Sequence, residues 1–240
     1  MKKQSKRNLV IAALILLALV VASGVYLGTY YHAGPEAAAL LRSNETVRVT
    51  VIDQGWLLDG PGTEAAFIFY PGGKVEPAAY LPLLTALAED GIDCFLVKMP
   101  LTLAVFKPDA AASILDAYEY ETWYVGGHSL GGACAALYAA KNPDRLTGLV
   151  LLAAYATRPL DDDLAVLELH GSEDRVLNRK KLEEGKQYLP ASAISEELPG
   201  GNHAQFGDYG PQKGDGVASV SRLAQTAWAA DRIERLIRGE

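Results

Sequence analysis

Gly127-His128-Ser129-Leu130-Gly131 fits the spacing G-x-S-x-G. A serine hydroxyl is a weak nucleophile until a neighbouring base takes its proton. Gly127 and Gly131 let a strand and a helix approach closely at a sharp turn, which would lift the Ser129 hydroxyl above a sheet. The flanks suit that turn. Trp123-Tyr124-Val125 reads as a short strand, and Leu130 to Lys141 reads as an alanine-rich helix whose N-terminus favours negative charge. The chain has four histidines to supply the base. His32 lies just past an N-terminal apolar run, His128 cannot readily turn onto its own neighbour, and His170 ends a strand. His203, in Gly200-Gly201-Asn202-His203, follows the last strand in a loop and occupies the third place in the order serine, acid, histidine. The acid that orients such a base is expected in the loop His170 to Val176. Asp174 is the candidate there, with Glu173 as the alternative and Asp208 a weaker one. Acyl transfer also needs donors for the developing oxyanion. Leu130 N–H, directly after the nucleophile, is one. The other is expected from Tyr70-Pro71-Gly72-Gly73-Lys74-Val75, at the N–H of Gly73 or of Lys74.

The elements that must carry these residues alternate between strand and helix. Val47 to Ile52 alternates apolar and polar residues, and Trp56-Leu57-Leu58 is a short companion strand. Ala65 to Tyr70 is a continuous apolar run, as expected of a strand buried on both faces. Pro77 to Glu89 reads as a helix, Ile92 to Lys98 as a strand and Ala110 to Tyr118 as a helix. After the serine turn come strands at Leu149 to Ala153 and Leu164 to Leu169, a helix at Asn178 to Tyr188, a strand at Ala193 to Leu198, and an amphipathic helix at Val217 to Arg238. Buried strands alternating with helices imply an α/β fold, a mostly parallel central sheet covered by helices on both faces. Ligands on such sheets gather at the carboxyl ends of the strands, where every candidate residue falls.

Half of the 240 residues are hydrophobic and 21% are charged, which excludes a disordered chain. Two cysteines, Cys94 and Cys134, are too few for a disulfide scaffold or a four-cysteine zinc site, and both read as small buried hydrophobes. No ligand spacing suggests a metal, and no cofactor is expected. The net charge is −7, and four of the 22 basic residues (Lys2, Lys3, Lys6 and Arg7) precede the first acid, so the rest of the chain is more acidic still. That argues against nucleic acid as a partner.

Leu9 to Leu27 carries no charge and is just long enough to cross a hydrocarbon core of about 30 Å. The expected organisation is a basic cytoplasmic tail at 1–8, a transmembrane anchor or signal segment at 9–31, a tether at 32–45 and a catalytic domain at 46–240. The basic cluster places the domain outside the cytoplasm. A signal peptide cleaved near Val20-Val21-Ala22 is the alternative; its apolar region would be longer than the usual ~7–15 residues.

With these residues in place, the body resembles an α/β-hydrolase, similar to the small bacterial serine hydrolases related to the dienelactone-hydrolase group. The segments FIFYPGGKVEPAAY, VGGHSLGGACAALYAA, LELHGSEDRV and LPGGNHAQFGDYG carry the resemblance, which spans about Ala65 to Arg238. It implies a serine nucleophile, an ester-type substrate with a small or exposed acyl group, and no cofactor. Two departures stand out. Dienelactone hydrolases use a cysteine where this chain has Ser129, and Pro71-Gly72-Gly73 stands where many relatives carry His-Gly. Only Tyr155 to Asp163 separates two strands at the point where lipases insert a cap, so no cap domain is expected and the site would be roofed by short loops such as Met99 to Pro108. A thioesterase, amidase or peptidase would carry the same residues. A non-catalytic module tethered at a membrane is the alternative of another class.

Overall fold

The computed structural model describes residues 2–240; Met1, the first residue of the expected basic tail, lies outside them. The chain divides into an N-terminal unit that ends at Tyr30 and a second unit, Tyr31–Glu240. The first unit is a single helix, α1 (Lys2–Gly28). Over Lys6–Tyr26 its mean hydropathy is 2.8, and Leu14, Leu16, Leu19 and Val25 are all exposed. At about 1.5 Å per residue this stretch rises about 30 Å. It is long and apolar enough to cross a membrane.

The second unit is built on an eight-stranded sheet. Its strands are β1 (Arg48–Ile52), β2 (Gly55–Asp59), β3 (Ala65–Tyr70), β4 (Ile92–Val97), β5 (Thr122–His128), β6 (Gly148–Leu152), β7 (Ala165–Gly171) and β8 (Ile194–Leu198). They lie in the order β1-β2-β4-β3-β5-β6-β7-β8. β2 runs antiparallel to both β1 and β4, and every other pairing is parallel. The chain leaves β3 for β4 on one side and then returns to place β5 on the other. The β3–β5 pair is therefore a switch point, and its carboxyl ends are where ligands gather on such sheets.

Two apolar layers cover the sheet. On one face, Phe67, Phe69, Leu152 and Leu169 pack with α3 (Leu81–Glu89) and α7 (Arg222–Arg238). On the other, Ile68, Val125, Leu149 and Val166 pack with α4 (Ala110–Leu115) and α5 (Leu130–Ala139). This is why β3 and β6 read as unbroken apolar runs: their alternate residues face opposite cores, and both cores are apolar. No helix lies between β6 and β7, so no cap is inserted there.

Several elements differ from the sequence expectation: the helix expected over Asn178 to Tyr188 is α6 (Arg179–Gly185) followed by a 3-10 turn, Lys186–Tyr188, and α4 stops at Leu115, short of the expected Tyr118. The helix expected over Pro77 to Glu89 is a 3-10 turn, Pro77–Tyr80, followed by α3, because Pro82 suits only a first helical turn. α7 begins at Arg222 rather than near Val217. The Ser221 hydroxyl accepts from Ala224 N–H at 3.1 Å and caps the helix, while Val217 stands 90% exposed outside it. β5 extends past Val125 to His128, because the Gly126 and Gly127 backbones still pair with Val150 and Leu151.

The stretch expected as a tether is laid along the domain. It contains a short helix, α2 (Pro35–Ala39), with Ala37 buried. Tyr31 N–H donates to Lys74 O at 2.7 Å, and Glu76 N–H donates back to Tyr31 O at 2.8 Å. Gly34 N–H donates to Asp208 O at 2.7 Å.

Candidate functional site

Ser129 sits between β5 and α5 with φ 53° and ψ −122°. That conformation costs an ordinary residue about 1–3 kcal/mol, so the surroundings must enforce it. They do so from both sides. Ser129 N–H donates to Leu152 O at 2.9 Å, and Ser129 O accepts from Ala133 N–H at 3.0 Å. The glycines on either side are required by space. A Cβ on Gly127 or on Gly131 would run into the Tyr70 carbonyl. The result is a partly buried serine at the carboxyl end of β5.

Asp174 and His203 come together from the loops after β7 and β8. Their contact, His203 Nδ1 to Asp174 Oδ2, is 2.8 Å, and both side chains are almost wholly buried. The other carboxylate oxygen of Asp174 accepts from Val176 N–H at 2.9 Å and Leu177 N–H at 2.8 Å. Burial alone would push the Asp174 carboxyl up. The His203 hydrogen bond and charge, with those two amides, outweigh it and hold the carboxyl below its ordinary range. An ionised carboxylate only accepts, so Nδ1 of His203 bears a hydrogen, and in the neutral imidazole the lone pair falls on Nε2. Nε2 is buried and has no hydrogen-bond partner among the described residues. A histidine held in this tautomer by a carboxylate is suited to take a proton from a hydroxyl brought to its Nε2; the structure shows no hydrogen bond between Ser129 and His203.

The alternative acids are occupied elsewhere. Glu173 takes a 3.4 Å contact from the Ser172 hydroxyl, and Asp208 pairs with Arg222 at 3.2 Å. Of the other histidines, His170 lies 3.3 Å from Glu197 and His32 lies 3.4 Å from Glu76. His128 is buried, with Nδ1 2.8 Å from the Tyr80 hydroxyl.

The loop after β3 is held from three sides. Gly72 N–H donates to the Tyr80 hydroxyl at 3.0 Å, and Lys74 N–H donates to Thr102 O at 2.8 Å. Tyr31 takes the Lys74 carbonyl from the other side. Lys74 N–H is thus already used within the loop. Among the described residues, Gly73 N–H and Leu130 N–H have no hydrogen-bond partner. They belong to the two chain segments that meet across the β3–β5 switch point, and a Cβ on Gly73 would lie 3.3 Å from Leu130 Cβ.

Sequence reasoning missed the residues that fix the histidine loop. Gln225 on α7 is fully buried and brackets Asn202, accepting from its N–H at 3.0 Å and donating to its carbonyl at 2.7 Å. Asp215 accepts from Ala204 N–H at 2.8 Å. These two grip the residues immediately before and after His203. A buried glutamine in an amphipathic helix was a visible anomaly, but nothing in the sequence ties it to a loop 23 residues away.

The model of the alpha/beta hydrolase family matches residues 66–227, from β3 into α7. No curated protein matches the sequence. Among solved structures, Est1E from Butyrivibrio proteoclasticus is 16% identical with a TM-score of 0.57, over 81% of this chain and 100% of that one. The same protein with ferulic acid bound is 14% identical with a TM-score of 0.56, over 80% and 96%. The carboxylesterase CesB (YbfK) from Bacillus subtilis is 12% identical with a TM-score of 0.57, over 85% and 95%. At such identities these three share the fold. The family match covers well over half of the chain, from the sheet through the serine turn to the helix behind the histidine, and on that ground the chain belongs to the alpha/beta hydrolase family.

Proposed function

We propose that this protein is a serine hydrolase that cleaves carboxylic esters of small or exposed acyl groups. The observation that carries the reading is the Asp174–His203 pair, which leaves a buried imidazole nitrogen without a hydrogen-bond partner among the described residues, in a fold that also holds Ser129 strained at the turn after β5. In this reading Ser129 Oγ attacks the ester carbonyl as His203 Nε2 takes its proton. The tetrahedral oxyanion is met by Leu130 N–H and Gly73 N–H, whereas Lys74 N–H serves Thr102 instead. His203 then protonates the leaving alcohol, and the acyl-serine forms. Water, activated by the same nitrogen, releases the acid and restores Ser129. Asp174 keeps the imidazole in the required tautomer and stabilises its charged form.

The absence of a helix between β6 and β7 supports the preference for exposed acyl groups, since nothing there would enclose a long chain. The carboxylesterase CesB among the similar structures favours an ester over a thioester, amide or peptide. The proposed setting is a cell membrane, with α1 as a single-pass anchor and the domain outside the cytoplasm. The basic residues before the apolar run support that orientation. Secretion after cleavage of the segment is the alternative.

The test treats the full chain in detergent with a fluorophosphonate and maps the adduct by mass spectrometry. Labelling at Ser129 is expected, lost in Ser129→Ala and reduced at least ~10³-fold in His203→Ala with the fold retained. A folded wild-type protein with no adduct on Ser129 would remove the reading and favour a non-catalytic module.

A further inference from the structure

We propose that the Tyr80 hydroxyl, held by His128, is a positioning device that sets the spacing between the two halves of the oxyanion site. The proposal deepens the serine-hydrolase reading and rests on it.

Tyr80 ends the 3-10 turn after the oxyanion loop and is fully buried, its ring 4.9 Å from that of Phe69. Its hydroxyl has two partners. It accepts from Gly72 N–H at 3.0 Å and lies 2.8 Å from His128 Nδ1. With one lone pair on Gly72 N–H, the hydroxyl satisfies its own proton by donating to Nδ1. That makes His128 the neutral tautomer protonated on Nε2. Burial, and the neighbouring His203, hold His128 well below the usual imidazole range, so it stays neutral and keeps accepting. The contact is tight. A Cβ on Gly72 would lie 2.6 Å from the Tyr80 hydroxyl and 2.7 Å from His128 Nδ1.

The consequence lies in what these partners precede. Gly72 is one residue before the unpaired Gly73 N–H, and His128 is two before the unpaired Leu130 N–H. One buried hydroxyl therefore ties the chain that carries one donor to the chain that carries the other. The His128 ring also lies 4.4 Å, centroid to centroid, from the ring of His203, tilted 52° to it. Without the Tyr80 proton, His128 is free to change tautomer or turn beside the base. Two donors on separate loops serve an oxyanion only when their separation matches it, and that match matters in the transition state rather than in substrate binding. Tyr80 touches no substrate in this account; it acts through Gly72 and His128.

The experiment uses the full chain in detergent and measures fluorophosphonate labelling of Ser129 and hydrolysis of p-nitrophenyl acetate. Tyr80→Phe is expected to lower kcat and the labelling rate about tenfold or more, with KM within about twofold. His128→Leu, which removes the acceptor, is expected to fall as far. His128→Asn places an amide oxygen near the Nδ1 position and is expected to recover most of that loss. Tyr80→Phe combined with His128→Leu is expected to lose little beyond either single change, because both cut one connection. A folded Tyr80→Phe with the wild-type rate overturns the proposal, as does a loss confined to KM. If Tyr80→Phe does not fold, the His128 pair decides: equal losses in Asn and Leu variants of equal Tm overturn it. A wild-type protein that fails to label overturns the serine-hydrolase reading itself, whereas a labelling wild type with an unaffected Tyr80→Phe overturns only this inference.

Discussion

The serine turn and the histidine loop serve one proposed site and are built by opposite means. The turn is local. Gly127, Ser129 and Gly131 sit within five residues, and the carbonyl that forbids a side chain at either glycine comes from the strand paired with β5. The histidine loop runs through 202–216 without a regular helix or strand beyond one short 3-10 turn. Its shape comes from side chains elsewhere, chiefly Gln225 on α7 and Asp215 in the same loop. A nucleophile held by backbone sterics tolerates almost no change at a few positions. A base held by side-chain hydrogen bonds can be loosened in steps.

The largest expected effect follows from breaking the turn. Gly131→Ala forces a Cβ into the Tyr70 and Pro71 carbonyls. It is expected to cost about 3 kcal/mol or more, read as a fall in Tm, and to abolish phosphonate labelling of Ser129. Next comes the histidine loop. Gln225→Ala leaves the Asn202 N–H and carbonyl unpaired inside the protein. A loss of about 1–3 kcal/mol in denaturant unfolding is expected, with labelling slowed rather than abolished. If Gln225→Ala stopped labelling as completely as Gly131→Ala at equal stability, the contrast between the two regions would collapse.

The smallest effect on the chemistry is expected in β7, outside the proposed site. Glu168 is fully buried, and Ser195 Oγ donates to its Oε2 at 2.9 Å. Burial pushes its carboxyl from an ordinary 4.5 up to about 7, against the Ser195 bond and the Lys186 charge that lower it. A carboxyl raised on folding keeps a proton that the unfolded chain has already released. Stability is therefore expected to fall as pH rises from about 4.5 toward about 7, by on the order of 1–3 kcal/mol. Glu168→Gln should flatten that part of the Tm–pH curve while leaving the labelling rate unchanged. A Glu168→Gln Tm–pH curve that runs parallel to the wild type's across this range would mean that the carboxyl is already ionised in the folded protein.

The same contrast explains what could be read from the sequence. Ala65 to Tyr70 was legible as a doubly buried strand to the residue, because period and composition carry that information locally. Ser129 was legible because its glycines are its neighbours. Asp174 and His203 followed from loop order, and the fold joins them by a hydrogen bond. The start of α7 was misplaced by five residues, since Val217 continues the apolar pattern while the capping hydroxyl of Ser221 decides the boundary. Gln225 and Tyr80 were not singled out. Their partners lie 23 residues away at Asn202 and 48 away at His128, and no local pattern announces such a pairing. Between Gly73 and Lys74 the sequence offered no choice. Only the carbonyl of Thr102, in a different loop, distinguishes them.

The strap at Tyr31 bears on how the protein can be released from its apolar helix. Tyr31 exchanges two backbone hydrogen bonds with the loop that carries Gly73, and its ring lies 5.5 Å from that of Tyr209 in the histidine loop. A protease that cuts within 22–30 leaves this strap whole and sheds a domain with its loops still braced. A cut only a few residues later, past Tyr31, takes away a peptide that borders the oxyanion loop. In the proposed setting, loss of α1 and loss of the strap beside the oxyanion loop are therefore separated by a handful of peptide bonds.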